Sequence, residues 1–196
     1  MAIDKNEIFS YRTRCEVNSV KKTVLNSVEV SETILRMVEE ILETHSSPNN
    51  MVLVGILTGG AILARRLKEA IMARTGVEVK TGVLDISLYR DDWTRLGPKP
   101  IVGKTELDFS IDDKLVVLVD DVLFTGRTVR AAMDALTDYG RPSRIELAVL
   151  ADRGHRELPI CTNFAGLKLD TDLDERVNVY FSDLGQDDEV AVESAG

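Results

Sequence analysis

Residues 116–128 read VVLVDDVLFTGRT, an apolar run followed at once by two acids and a small polar loop. Consecutive aliphatic residues are typical of a strand that is covered on both faces of a parallel sheet. Asp120 and Asp121 would then lie at the carboxyl end of that strand, where open α/β sheets bind ligands. Carboxylates at this edge can hold a divalent cation or accept hydrogen bonds from a pair of vicinal hydroxyls.

The loop Thr125, Gly126, Arg127 and Thr128 then opens a predicted helix. Helix N-termini present unpaired N–H groups and partial positive charge, so they stabilise anions. Gly126 allows close backbone approach, and both threonines add hydroxyl donors. Together with the two acids, the loop fits a polyol and a phosphate, which is the shape of a sugar phosphate. The alternative is a solvated strand end followed by an N-cap at Thr125.

Strands and helices alternate through the middle of the chain. Helical spacing predicts helices over 29–44, with Ser31 as N-cap, over 61–76 and over 126–140, and apolar or alternating runs predict strands over 51–57, 77–89, 114–119, 144–152, 176–183 and 188–193. From Arg90 to Ser110 the chain reads as a long loop, which in a compact domain is usually functional or disordered. The pattern predicts an α/β domain with a mainly parallel, twisted sheet flanked by helices.

Length and composition favour one domain over residues 1–196, with 44% hydrophobic residues. No apolar run approaches the ~20 residues of a membrane span, and the N-terminus lacks a signal-peptide core, so we expect a cytoplasmic protein without membrane contact. Cys15 and Cys161 are predicted to be free thiols. The 24 basic and 33 acidic residues give a net charge of -9, which disfavours nucleic acid binding as a general activity.

The 116–128 stretch closely resembles the phosphoribosyl pyrophosphate (PRPP) binding signature of type I phosphoribosyltransferases. The segments LVGILTGGAILARRL, DISLYRDDW and VRAAMDALTDYGRPSRIELAVLADRGHRELPI extend the likeness, from about Met51 to Ile160, to the PyrR family of pyrimidine operon attenuators and uracil phosphoribosyltransferases. The resemblance implies a type I phosphoribosyltransferase fold with a small hood built from the chain termini. It also implies transfer of the phosphoribosyl group of PRPP to uracil, giving UMP and pyrophosphate, and a homodimer or higher homo-oligomer.

The resemblance assigns a role to each motif residue. Asp120 and Asp121 would meet the ribose hydroxyls, Thr125, Gly126, Arg127 and Thr128 would hold the 5'-phosphate, Thr58, Gly59 and Gly60 would form the pyrophosphate loop, and Arg90 would clamp pyrophosphate from a lid that runs from Tyr89 to Ser110. Mg²⁺ would ride on the pyrophosphate, with waters completing its shell and no dedicated protein site. Phe124, with Val122, would lie in the base pocket. Other members carry an acid beside a purine at the Phe124 position, so a phenyl ring there favours a pyrimidine.

Departures from the PyrR pattern leave two alternatives open. Residues 57–60 read LTGG where the family usually has Lys-Thr-Arg-Gly, which favours either a purine-specific transferase or a regulator that has kept the pocket as a PRPP or nucleotide sensor. Cys161 and Leu167 replace an arginine and a lysine that PyrR proteins present to messenger RNA, although Arg156 remains, so RNA binding is the weaker half of the resemblance.

Two further features have more than one interpretation. Residues 1–28 have no clear counterpart in the family and are either an added strand and helix at a subunit interface or a partly ordered tail. His155 is either a catalytic base or a hydrogen-bonded loop residue.

Overall fold

The computed structural model describes residues 20–45, 47–91 and 104–194, in which eight strands and three α-helices are assigned. In chain order they are β1 (Val20–Leu25), α1 (Ser27–Thr44), β2 (Met51–Ile56), α2 (Gly59–Thr75), β3 (Lys80–Leu84), β4 (Leu115–Leu123), α3 (Arg127–Leu136), β5 (Arg144–Asp152), β6 (Phe164–Lys168), β7 (Arg176–Tyr180) and β8 (Glu189–Ser194).

The central sheet has five parallel strands in the order β3-β2-β4-β5-β6. All six residues of β2 are buried, and Val116–Asp120 of β4 are buried as well. Since helices cover both faces of the sheet, these central strands need apolar side chains on both sides. The predicted α/β class with a mainly parallel sheet is confirmed.

Two hydrophobic cores lie on opposite faces of the sheet, because successive side chains of a strand point to opposite sides. Val117 and Val119 of β4 pack on the face that carries α1 and α2. Val116 and Leu118 pack on the face that carries α3. By the same alternation, Asp120 lies on the α3 face of the sheet and Asp121 on the face that carries α1 and α2.

The two ends of the described chain form a second, antiparallel sheet in the order β1-β8-β7, which corresponds to the predicted hood. Its buried residues Val177 and Val190, with Phe181 directly after β7, join the core on the α1 and α2 face. Arg66 of α2 anchors the hood further, because its guanidinium binds the carboxylates of Asp183 and Asp188 at 2.6 and 2.7 Å.

Several predicted boundaries were wrong. Helix α1 begins at Ser27, where Asn26 and Glu29 form a capping box, and Ser31 lies in its second turn with its hydroxyl donating to the Ser27 carbonyl. Strand β3 is five residues long because its ladder with β2 ends at Leu84, opposite Ile56.

Other corrections concern whole segments. Strand β6 was not predicted. Strand β1 matches the alternative of an added strand at the end of the 1–28 extension, and it belongs to the hood. Residues 1–19, including Cys15, and 92–103 of the predicted loop lie outside the described residues. Cys161 is a free, exposed thiol. Within the described ranges, no helix is long and apolar enough to cross a membrane.

Candidate active site

Asp120 and Asp121 lie within the second half of β4 and not beyond its end, because β4 stays paired with β5 through Leu123. The backbone N–H of Asp121 donates to Oδ1 of Asp120 at 3.0 Å. Asp120 is only 7% exposed, and this burial, with the neighbouring charge of Asp121, raises the pKa of its carboxyl well above the usual value. A carboxyl of this kind gains from hydroxyl or cationic partners.

The two carboxylates serve different sides of the strand. Asp120 lines a cavity on the face that carries α3. Asp121 instead contacts the start of α2, since a Cβ atom built on Gly59 would lie 2.2 Å from its Oδ2 atom. A Cβ atom on Gly60 would likewise lie 2.2 Å from the carbonyl oxygen of Val119. The predicted pyrophosphate loop and the acid pair are therefore in direct contact, and only glycine fits at this junction.

Thr58 is the N-cap of α2, and it is exposed at the end of the apolar β2. The peptide bond between Leu57 and Thr58 is cis. Helix α2 has no acidic residue in its first turn, so its partial positive charge faces the acid pair without competition from its own side chains.

The loop 125–128 forms the N-terminus of α3, as predicted. Gly126 is the N-cap, with a φ of +90° that favours glycine. Helix α3 also lacks an acidic residue in its first turn. Its first N–H groups have no carbonyl acceptors within the helix, so they are suited to an anion at this position.

Arg127 connects this loop to two acids. Its guanidinium lies 2.6 Å from a carboxylate oxygen of Asp91 and 2.6 Å from one of Glu157. The hydrogen bond to Glu157, and after it the one to Asp91, raise the pKa of Arg127 above its usual value. The sequence prediction included Arg127 but neither acid, since a pairing between residues 30 positions apart leaves no local pattern.

The cavity beside these groups measures about 680 Å³, which is large enough for a sugar phosphate or a nucleotide. It is lined by Arg90, Asp91, Asp120, Val122, Leu123, Phe124, Thr125, Gly126, Arg127, Thr128, Val129 and Glu157. Most of the predicted site residues thus surround one cavity, including Arg90 and the pair predicted for the base pocket. The predicted residues absent from this lining are Asp121 and the loop Thr58–Gly60, which adjoin it through β4.

The segment after β5 supports Phe124. The guanidinium carbon of Arg153 lies 4.1 Å from the centroid of the Phe124 ring, and the His155 ring approaches edge-on at 6.1 Å. His155 Nε2 is hydrogen-bonded to the carbonyl of Thr171, which favours the structural interpretation of this histidine. Arg153 was missed in the sequence because its role depends on a contact with β4.

Arg156 turns inward as well. Its guanidinium donates to the carbonyl oxygens of Phe124 at 2.7 Å and Gly154 at 2.9 Å, and it pairs with Asp152 at 2.5 Å. Arg156 is the basic residue that remains from the RNA-contacting pattern of the PyrR family. In this structure its guanidinium is instead engaged in contacts within the fold.

Comparison with known proteins identifies the family. The model of the phosphoribosyl transferase domain matches residues 22–182. The bifunctional protein PyrR of Syntrophobacter fumaroxidans is 50% identical over 179 residues, which cover 91% of this chain and 96% of that protein. The chain belongs to the PyrR family of phosphoribosyltransferases.

Solved structures agree with this assignment at the level of the fold. The hypoxanthine phosphoribosyltransferase of Trypanosoma cruzi superposes with a TM-score of 0.66 at 18% identity, over 89% of this chain and 97% of that one. A hypoxanthine-guanine phosphoribosyltransferase of Bacillus anthracis gives 0.62 at 19% identity, over 76% and 84%. The predicted type I phosphoribosyltransferase fold of this PyrR relative is confirmed.

Proposed function

We propose that this PyrR-family protein transfers the 5-phosphoribosyl group of PRPP to uracil, forming UMP and releasing pyrophosphate. The observation that carries the proposal is that Asp120, the N-terminus of α3 and Phe124 line the same cavity. These three elements supply a hydroxyl acceptor, an anion site and an apolar ring, which match ribose, phosphate and base in turn.

Each end of the sugar phosphate has a counterpart in the chain. The N–H groups and hydroxyls of 125–128 hold the 5'-phosphate, and Asp120 accepts hydrogen bonds from the ribose hydroxyls. Asp121 lies on the pyrophosphate side of the ribose, where it contacts Gly59. Arg90 lines the cavity and is suited to clamp the leaving pyrophosphate.

Mg²⁺ is proposed to enter as part of the PRPP complex. Among residues 20–45, 47–91 and 104–194, no group of three His, Cys, Asp or Glu side chains is arranged to hold a metal ion. The oxygens of Asp120 nonetheless fit a hard cation that is held mainly by the substrate. When bound, the cation neutralises charge on the leaving pyrophosphate.

The chain contributes mostly positioning and charge stabilisation to the reaction. A ring nitrogen of the base displaces pyrophosphate from C1 of the ribose, and the proton of that nitrogen passes to the leaving pyrophosphate or to water. The phosphate loop and Asp120 fix the ribose, and the backbone of Thr58–Gly60 holds the departing group. Phe124 and Val122 offer no ionisable group, so the base is held by packing and is not deprotonated by either residue. This arrangement supports a small pyrimidine.

The test is pyrophosphate release from PRPP and Mg²⁺ with uracil, hypoxanthine, guanine or no base. Release with uracil alone, strongly reduced in Asp121→Asn, is the expected result. Release with a purine alone would keep the chemistry and overturn the base assignment. Binding of PRPP or UMP without pyrophosphate release would favour the alternative in which the protein is a regulator that senses PRPP or a nucleotide.

A regulatory role through RNA is the alternative of a different class. The inward orientation of Arg156 and the net charge of -9 argue against it. A gel-shift titration with pyrimidine-operon leader RNA, repeated at several salt concentrations, tests it. The homo-oligomer, the single domain over 1–196 and the cytoplasmic location stay predictions.

A further inference from the structure

Arg153 is a buried cation that the reaction described above does not use. It follows β5 directly and is 5% exposed. Its Nη1 donates to the carbonyl of Glu175 at 2.7 Å, and its Nη2 donates to the carbonyl of Asp172 at 2.8 Å. One face of its guanidinium lies over the ring of Phe124. Arg153 therefore joins the turn 172–175 to the side wall of the cavity.

Keeping an arginine at this position has an energetic cost beside the two hydrogen bonds that it makes. Among the described residues, Nε of Arg153 is a buried donor without a hydrogen-bond partner. Burial also lowers the pKa of its guanidinium, which reflects the cost of keeping the charge there. A methionine would avoid both costs but would leave the carbonyls of Glu175 and Asp172 without these donors, and buried unpaired donors in native proteins are often tied to function.

The ring of Phe124 is held from two sides by the same short segment. Arg153 covers the ring, and Arg156 donates to the carbonyl oxygen of the same residue at 2.7 Å. The ring of His155 stands at 76° to that of Phe124. Both the side chain and the backbone of Phe124 are thus fixed, while Phe124 still lines the cavity. A planar ring fixed in this way is suited to pack against a flat heterocycle.

We propose that Arg153 is a positioning residue for the nucleobase, which it controls by fixing the ring of Phe124 as a packing surface. The inference rests on the proposed function, since it assigns the base to the Phe124 side of the cavity. Arg153 does not touch the base itself. Its effect is confined to ligands that carry a base and is absent for the sugar phosphate alone.

The experiment compares calorimetric dissociation constants for UMP and ribose 5-phosphate in the wild type, Arg153→Lys and Arg141→Met. Lysine keeps the charge but cannot donate to two carbonyls with one planar group. We expect Arg153→Lys to weaken UMP binding about tenfold, because the planar group that orders the Phe124 ring is lost, with ribose 5-phosphate binding almost unchanged. Arg141→Met removes an exposed arginine as the control, and both ligands should bind as in the wild type.

A second variant guards against a folding defect. Phe124→Leu leaves Arg153 in place and should give the same selective loss of UMP binding. Adding Arg153→Lys to Phe124→Leu should then cause no further loss, because the route through the ring is already gone. Equal weakening of both ligands, or additive losses in the double variant, would show a merely structural role and overturn the proposal.

The binding comparison is independent of catalysis. If the wild type releases no pyrophosphate with uracil, the proposed function fails, yet the preference for UMP over ribose 5-phosphate still tests Arg153. If the wild type binds UMP no more tightly than ribose 5-phosphate, no base is held beside Phe124 and the role of Arg153 is refuted.

Discussion

Gly59 and Asp121 are in such close contact that a Cβ atom on the glycine would lie 2.2 Å from Oδ2 and 2.5 Å from Cγ of the aspartate. The contact joins the N-terminus of α2 to the acid pair of β4. Since Asp121 lies in β4 between two residues that are paired with β5, any side chain at position 59 must displace either the carboxylate or the helix start. The distance between the proposed pyrophosphate loop and the ribose site is thus set by the absence of a side chain.

Gly59→Ala should therefore reduce kcat/KM for PRPP by roughly 100-fold, the scale of an ångström-sized misplacement in an active site. Steady-state kinetics with uracil at saturation measure the effect. Gly76→Ala is the control at the other end of α2, where φ is +71° and no atom lies within 4 Å of the added carbon. It should cost about 1 kcal/mol of stability and leave kcat/KM unchanged. Equal kinetics for both variants would contradict the account.

Asp120 should make the protein less stable as the pH rises. Burial raises the pKa of its carboxyl, so the folded state keeps a proton that the unfolded state, with a pKa of about 3.9, has already lost. The free energy of unfolding then falls from about pH 4 upward until the folded carboxyl is ionised. Asp120→Asn removes this term while its side-chain oxygen can still accept the N–H of Asp121.

We expect Asp120→Asn to be about 1 to 3 kcal/mol more stable than the wild type at pH 8, with the gain shrinking toward pH 4. Denaturant unfolding at both pH values measures it. Asp112→Asn is the control, because the N–H of Arg141 lowers the pKa of that exposed carboxyl and no gain is expected at pH 8. A gain at pH 8 that is equally large at pH 4 would show that ionisation of Asp120 is not responsible.

Glu157→Gln should tighten the binding of ribose 5-phosphate a few-fold. The carboxylate of Glu157 holds Arg127 and also lines the cavity that receives the phosphate. Its removal leaves the guanidinium with Asp91 and takes one negative charge from the site. Calorimetry at low and high salt measures the change, which should shrink with salt. Glu106→Gln removes the same charge elsewhere, beside Lys104, and should have no effect. Weaker binding in Glu157→Gln would instead mean that Glu157 orients Arg127 toward the phosphate.

Asp188→Asn should loosen the hood. Arg66 donates to the carboxylate of Asp188 and thereby lowers the pKa of that group. A lowered pKa stabilises the fold above about pH 4 and loses this contribution as the pH falls further. We expect the variant to lose about 2 kcal/mol at pH 7, as for a partly buried charge-assisted pair. Glu39→Gln breaks the exposed pair with Arg74 and should leave the free energy of unfolding almost unchanged. Similar losses of unfolding free energy in both variants would show that the contact between Arg66 and Asp188 does not anchor the hood.

The central sheet and the cavity could be predicted because their signals are local. The four consecutive aliphatic residues 116–119 indicate a buried strand by themselves, and the glycine at position 126 by itself indicates a turn. Strand β6 lacked such a signal, since its five residues FAGLK are short and include a glycine. Strand β1 is largely exposed and depends on pairing with β8, which lies more than 160 residues away. Propensity does not report such distant partners.

The parts of the site that were missed depend on long-range contacts as well. Arg153 meets Phe124 only because β5 lies beside β4 in the sheet. Asp120 and Asp121 were predicted to lie together at the end of the strand. They face opposite sides of the sheet because β4 continues, paired with β5, through Leu123, and the sequence did not show that continuation. Ser31 was chosen as an N-cap because the apolar period starts near it, whereas Asn26 and Glu29 form the actual capping box.

The most direct test of the central claim is the ratio of UMP formed to pyrophosphate released when the protein is given PRPP, uracil and Mg²⁺. We expect one UMP for each pyrophosphate, no product without Mg²⁺, and a strong reduction of both products in Asp121→Asn. Pyrophosphate released without UMP would mean hydrolysis of PRPP, and the absence of both products would mean that the cavity binds its ligand without transfer. Either result would contradict the proposed phosphoribosyl transfer to uracil.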